Sequence, residues 1–347
     1  MKRVQSDKGI VLFGELMMRL STKRHERIVQ AREFDVSYSG AEANLGVALG
    51  GYGIESLVVS AVPPDATGDA CLAYLRQFPV DLRHVRRHGS RLGIYFVETG
   101  AAQRPSTFLY NRKGSSITEL RPGDLDWHAI LAGKSWFHVT GITPALGDSV
   151  AAITKEACAT AAALGLTVSV DLNFRRKLWS PEKAREIMGD LMQYTSVLFT
   201  NEEEAATVFG VTAEGAEVAA GRVGARGYEH VARRLHEMFG LRYVSITLRE
   251  SISATANGWS GMLFDGERFH TSRRYLIDYI VDRVGGGDAY SAGIIYGLLT
   301  EQDLQETVEF AAAASCLKHS IHGDFNLVSF EEVIALVEGD GSGRIQR

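Results

Sequence analysis

The chain has 347 residues, 45% hydrophobic and 23% charged, enough for one large α/β domain or two smaller ones around a sizeable core. Lys and Arg total 37 against 42 Asp and Glu, and the formal net charge of −5 argues against a general nucleic-acid binder. Three cysteines far apart in sequence, Cys71, Cys158 and Cys316, form no C-x-x-C pair and read as small buried apolar residues of a reducing compartment.

The N-terminal "MKRVQSDKGIVLFGELMMRL" begins basic, but Glu15 interrupts its apolar run too early for a signal peptide. No stretch approaches the roughly 18 uncharged apolar residues of a membrane span. The expectation is a cytoplasmic protein with no membrane partner. "GIVLFG" then reads as a first strand and "AEANLGVALGGYG" as a helix closed by glycines. "SLVVSAV" is a strand and "GDACLAYLRQF" a helix. Further buried-type strands are "SWFHVTG", "LTVSVDLN", "SVLFTN" and "YVSITL". Between them "DSVAAITKEACATAAALG", "PEKAREIMGDLMQY" and "YEHVARRLHEMFG" carry helix formers at amphipathic spacing. The last third is helical again, in "DAYSAGIIYGLL", "QETVEFAAAASCLKHS" and "FEEVIALVE", and "EGDGSGRIQR" has the composition of a frayed tail. Strand alternating with helix implies a mostly parallel sheet covered on both faces.

Two regions break that rhythm. "EFDVSYS", "LGIYFVET" and "STFLYNRKG" alternate as strands do, with no helical pattern between the last two. They predict a small β-sheet lid from residues 15–40 and 91–117, with the main α/β domain formed by 1–14, 41–90 and 118–347. The basic run Arg83 to Arg91, "RHVRRHGSR", reads as a solvated turn. His319 and His322 have no accompanying ligand cluster and read as ordinary loop histidines.

The most informative stretch is "VDRVGGGDAYSAG", Val281 to Gly293. Three consecutive glycines bare the backbone where a helix begins, and free amides at a helix start attract anions. The bland alternative is a flexible turn with Asp288 as a simple helix cap. Other phosphate motifs are absent. The "GKS" at Gly133 to Ser135 has His128 where a Walker glycine belongs, and no G-x-G-x-x-G follows the first strand.

"VDRVGGGDAYSAG" resembles the C-terminal signature of the ribokinase-like (PfkB) carbohydrate kinases, commonly D-T-x-G-A-G-D. "SGAEANLGVALGGYG" is similar to that family's N-terminal substrate signature, G-G-x-x-x-N before a helix. Order and spacing match over roughly residues 10 to 330. "GELMMRLS", "RKGSS", "DLNFRRKLW", "TNEEEA" and "LKHSIHGDFNLVS" resemble the branch that acts on 2-keto-3-deoxygluconate. The resemblance implies a ribokinase-like three-layer α/β sandwich with a mostly parallel central sheet. It also implies ATP and Mg2+ as cofactors and a small sugar acid as partner. Asp288 would be the general base and Gly285, Gly286 and Gly287 the anion hole. A carboxylate at a helix start is expected to stay ionised.

By the same resemblance, Gly40, Asn44, Tyr95, Tyr110, Arg112 and Arg175 would bind the sugar. The two arginines would meet its acid or keto end, since a guanidinium holds a carboxylate by two parallel hydrogen bonds. Asn201, Glu204, Thr247, Arg249, Ala313 and Cys316 would bind ATP, with Glu204 reaching the metal through water. Ser39 departs from the first glycine of the family pair, Arg283 from the usual Thr, Gly286 from Ala, and His322 from a Pro. Loss of the Thr argues against monovalent-cation activation. The expected activity is phosphorylation of the terminal hydroxyl of 2-keto-3-deoxygluconate by a homo-oligomer joined through the lid. A fructokinase, a nucleoside or 2-keto-3-deoxygalactonate kinase, or a catalytically silent sugar sensor stay open.

Overall fold

Strand β1 (Gly9–Phe13) is buried along its whole length, as a strand covered on both faces must be. In the computed structural model, which describes residues 1–4, 6, 8–213 and 225–339, the chain then leaves the main sheet through β2 (Met17–Ser21) and β3 (Asp35–Ser39). The end of the expected frayed tail, from residue 340 on, lies outside the described residues. Helix α1 (Ala41–Gly51), β4 (Glu55–Val62), α2 (Ala66–Leu75) and β5 (Asp81–Arg87) return to the main sheet. β6 (Gly93–Glu98) and β7 (Thr107–Asn111) leave it again. Strand and helix then alternate through α3 (Trp127–Leu131), β8 (Trp136–Thr140), α4 (Asp148–Ala163), β9 (Thr167–Asp171), α5 (Pro181–Met192) and β10 (Val197–Thr200). After α6 (Glu202–Phe209), α7 (Ala225–Phe239) and β11 (Tyr243–Ser251) come β12 (Asn257–Phe264) and the short strands β13 (Phe269–Thr271) and β14 (Tyr275–Ile277). Helices α8 (Gly286–Leu299), α9 (Leu304–Lys318) and α10 (Phe330–Val337) complete the described chain.

The main sheet has ten strands, ordered β13-β12-β11-β10-β9-β8-β1-β4-β5 with β14 also on β12. It is parallel from β5 to β11 and antiparallel beyond. β1 has β4 on one side and β8 on the other, so the connections diverge at its carboxyl end and open a crevice there. Alternation along β1 feeds two cores. Ile10 and Leu12 join Val58, Tyr296 and Phe310 on the side of α1, α8 and α9. Val11 and Phe13 join Ile153, Met188 and Val231 on the side of α4, α5 and α7. The result is a three-layer sandwich.

The second sheet has four strands in the order β3-β2-β6-β7. β2 pairs parallel with β6, while β2–β3 and β6–β7 are antiparallel. Met17, Tyr95 and Val97 form its own small core with Phe108. No described helix is long and apolar enough to cross a membrane.

Three expectations change. The basic run at 83–91 is not a turn: most of it forms β5, the sheet's edge, with Val85 8% exposed and its arginines outward. Charges suit an edge strand because they block pairing with another chain. The antiparallel extension β12 to β14 was not anticipated. His319 is not a loop histidine. It is buried at the end of α9, donating from Nδ1 to the Ser315 carbonyl at 2.7 Å, and burial pushes its imidazole down to about 4.

Candidate active site

A cleft of about 1340 Å³ opens where the carboxyl ends of β9, β10 and β11 face the small sheet. Its floor carries Gly285, Gly286, Gly287 and Asp288 at the start of α8. The three glycines differ in what surrounds them. Gly285 has φ of 79°, and a Cβ there would lie 1.9 Å from the Asp324 carbonyl oxygen. A Cβ on Gly286 would lie 2.8 Å from the His319 ring. A Cβ on Gly287 would meet nothing within 4 Å, so its bare backbone faces the open cleft.

Asp288 is not the cap of α8; that place belongs to Gly285. Its carboxylate oxygen Oδ2 instead accepts from Asn44 Nδ2 at 2.7 Å. The expectation that Asp288 stays fully ionised is corrected. Burial, helped by Asp324 and Glu42, pushes the carboxyl up to about 7, against the Asn44 hydrogen bond and Arg175, which pull it down. A helix start alone does not offset removal from water.

Tyr95, Tyr110, Arg112 and Arg175 all line the cleft. Tyr95 and Tyr110 stack with centroids 5.6 Å apart. The Tyr95 hydroxyl is already engaged, donating to Asp324 Oδ2 at 2.5 Å beside Ser39 Oγ at 2.8 Å. Arg112 lies over the Tyr110 ring and donates to Glu15 Oε2, from Nε at 2.7 Å, while Ser115 donates to the other Glu15 oxygen. Arg175, with its side chain 45% exposed, points a guanidinium nitrogen to 3.7 Å from Glu204 Oε1. Gly40 also lines the cleft, but the close approach it permits is to its own chain, since a Cβ would lie 2.1 Å from the Glu15 carbonyl oxygen.

At the other end, Asn201 caps α6 by accepting from the Glu204 amide at 2.9 Å. Burial pushes the Glu204 carboxyl up to about 7 although Arg175 pulls it down. Burial likewise raises Asp171 well above the carboxylate range, with Glu204 and Asp288 adding to it. Thr247 and Arg249 line the same end. Ala313 and Cys316 do not line the cleft. Ala313 is 0% exposed in the core, and Cys316 packs against Trp259, Ile277 and Ile280. The alanine run serves helix contact instead: a Cβ on Gly293 of α8 would lie 2.5 Å from Ala311 Cα of α9. Among the described residues no group of three or more His, Cys, Asp or Glu side chains is arranged to hold a metal ion directly. The mostly buried Glu204 carboxyl near Asp171 nevertheless suits a cation that keeps its own waters, because a nearby positive charge favours ionisation.

Several residues escaped the sequence reading. Arg19, on β2, reaches across to the main domain and pairs with Asp324 and with Asp282, the latter at 2.5 Å. Burial opposes the charge on Arg19, but the two carboxylates outweigh it and hold the guanidinium protonated. Glu42 is buried on α1, accepting from the Thr140 amide at 2.9 Å and from the Thr140 and Thr143 hydroxyls. Each lies in a segment that carried the family resemblance, Arg19 in "GELMMRLS", Glu42 in "SGAEANLGVALGGYG", Asp282 in "VDRVGGGDAYSAG" and Asp324 in "LKHSIHGDFNLVS", but none was singled out for a role.

A sequence model described as pfkB family carbohydrate kinase matches residues 7–247 and 255–327. The chain is 30% identical to a 2-dehydro-3-deoxygalactonokinase of Haloferax volcanii, over 96% of this chain and 98% of that one. It is 26% identical to a 2-dehydro-3-deoxygluconokinase of Thermoproteus tenax, over 91% and 90%. The crystal structure of 2-dehydro-3-deoxygluconokinase from Thermotoga maritima superposes with a TM-score of 0.92 at 45% identity, covering 96% of this chain and all of that one.

Proposed function

The chain belongs to the pfkB family of carbohydrate kinases, and from that premise we propose that it transfers the γ-phosphoryl group of ATP to the terminal hydroxyl of 2-keto-3-deoxygluconate. The observation that carries the sugar-acid reading is the presence of two arginines, Arg112 and Arg175, in the cleft that holds Asp288. In the free chain each faces a carboxylate, Glu15 and Glu204 respectively. A substrate carboxylate or keto oxygen would take over part of those contacts, and a neutral sugar has nothing equivalent to offer.

Asp288, ionised, accepts the proton of the sugar hydroxyl. The hydroxyl oxygen forms its bond to the γ-phosphorus as the bond to the β-phosphate oxygen breaks, and ADP leaves. The amides of Gly285 to Gly287 receive the transferring phosphoryl, where Gly287 lets it come close. Glu204, with Asn201 beside it, would hold the water ligands of a magnesium ion brought with ATP, which when bound spreads the phosphate charge. The small sheet acts as a lid that keeps water from the transfer. Residues 15–40 and 91–117 constitute that lid, and its exposed Val36 and Leu109, on the face away from the cleft, suit pairing with a second copy.

The test is ATP consumption, with magnesium, across ketodeoxygluconate, ketodeoxygalactonate, gluconate, fructose and ribose. Turnover confined to the keto-deoxy acids supports the reading, and the ratio of the first two decides the epimer. The likeness to the Haloferax galactonate enzyme makes that epimer the leading alternative. Turnover on fructose or ribose alone discards the sugar acid.

A further inference from the structure

The buried ion pairs of Arg19 connect two parts of the molecule that the sequence separates. Arg19 is 3% exposed, on a strand of the small sheet. Its Nη2 meets Asp282 Oδ2 at 2.5 Å, its Nη1 meets Asp324 Oδ1, and its Nε donates to Ser21 Oγ at 2.7 Å. Every nitrogen of the guanidinium is therefore engaged.

Both carboxylates bear on the glycine loop. Asp282 Oδ1 accepts the Val284 amide at 3.0 Å, one residue before Gly285, and Oδ2 accepts the Gly323 amide at 3.2 Å. The main chain of Asp324 packs so closely on Gly285 that only a glycine fits. A second strand of the small sheet grips the same group, through the Tyr95 hydroxyl on Asp324. Lys318, wholly buried, donates to the main-chain carbonyls of Asp282 at 3.2 Å and Ile321 at 3.1 Å, and the Asp282 and Asp324 carboxylates favour its charge, although burial pulls its ammonium down to about 8. A balanced buried cluster of this kind holds position strongly, because moving one member leaves an unpaired charge away from water.

We propose that Arg19 is a positioning residue that fastens the glycine loop to the small sheet, so that the geometry of the phosphoryl site depends on where strand β2 sits. Arg19 touches neither sugar nor nucleotide in this scheme. A displacement of β2 carries Asp282 and Asp324 with it and misaligns the amides that must receive the phosphoryl. This inference rests on the reading of Gly285 to Gly287 as the anion hole.

The test uses the full chain and two variants. Arg19→Lys keeps the charge but cannot span both carboxylates. The paired change Arg19→Met with Asp282→Asn removes one charge of each sign and keeps the cluster neutral. In the free protein, hydrogen exchange of the segment 281–289 should speed up about tenfold in both variants while the rest of the main sheet is unchanged. With whichever sugar acid the wild type phosphorylates, kcat should fall about 10- to 100-fold, since small misplacements are that costly, with KM for the sugar moving less than about threefold. Unchanged exchange at 281–289 in a folded variant overturns the proposal. So does a rise in sugar KM at constant kcat, which would put Arg19 in the sugar pocket, and so does faster exchange throughout, which would make its role merely structural. A wild type that turns over no sugar defeats the kinase reading alone, and the exchange result still decides Arg19.

Discussion

Asn44 and Asp288, 244 residues apart in sequence, are joined by a hydrogen bond of 2.7 Å from the amide nitrogen of the first to the carboxylate of the second. The bond favours the ionised carboxylate that burial disfavours. It makes Asn44 a tuner of the proposed base as well as a lining residue of the cleft. kcat should rise with pH through about 7 as Asp288 loses its proton, falling about tenfold per unit well below that. In Asn44→Ala the rise should move to higher pH, by on the order of one unit. A pH–rate profile of the two proteins checks both, and a shift to lower pH would remove Asn44 from this role.

Asp288→Asn should lower kcat by about 10²–10⁴-fold while leaving sugar binding nearly intact. The same change should stabilise the fold at alkaline pH. A carboxyl whose folded value is raised from about 3.9 to about 7 favours the folded state while protonated, and that contribution fades as pH rises between the two values. The variant lacks the buried charge, so its thermal midpoint should exceed that of the wild type at pH 8 and approach it near pH 4. Equal midpoints at pH 8 would show that Asp288 carries no such strain.

Gly287→Ala and Gly285→Ala should part company. An added methyl at 287 meets nothing in the free protein, so stability should hold or rise by up to ~1 kcal/mol in the first turn of α8. Transfer to the sugar should nonetheless fall at least about tenfold, because the methyl stands where the phosphoryl must approach. The methyl at 285 collides with the Asp324 carbonyl at a left-handed φ of 79°, and should cost about 2–3 kcal/mol of stability. Denaturant melts beside steady-state rates separate the two. Full activity in Gly287→Ala would refute the anion hole.

Arg175→Ala should raise KM for a keto-deoxy acid about 10- to 100-fold, the worth of one charge-assisted contact, with little change for fructose. Equal losses on both sugars would sink the carboxylate assignment.

What could be read from the sequence was local. The alternation of Ile10, Val11, Leu12 and Phe13 is enough to make a two-faced buried strand, and the three glycines do stand where a helix begins, at the start of α8. Pairings that span the chain leave no such trace. Arg19 meets Asp324 across 305 residues, and nothing in "MMRLS" distinguishes an arginine turned inward from one in water. Ala313 of α9, expected at the ATP site, misled for a different reason: a nucleotide pocket and a close helix contact ask for the same small side chains. The run 83–91 misled because its charges outweigh Val85, the side chain that marks its inward face.

Strand β1, the first of the chain, lies in the interior of the ten-stranded sheet, and α8 packs on α1. During synthesis, the β1–β4 pair and α1 leave the ribosome long before the segment that carries Asp288 and its glycines. The growing polypeptide therefore owns a scaffold well before it owns any chemistry. Premature termination anywhere up to residue 280 yields a chain without the proposed base and the proposed anion loop. Translation order alone places the proposed reactive segment after the strands that support it.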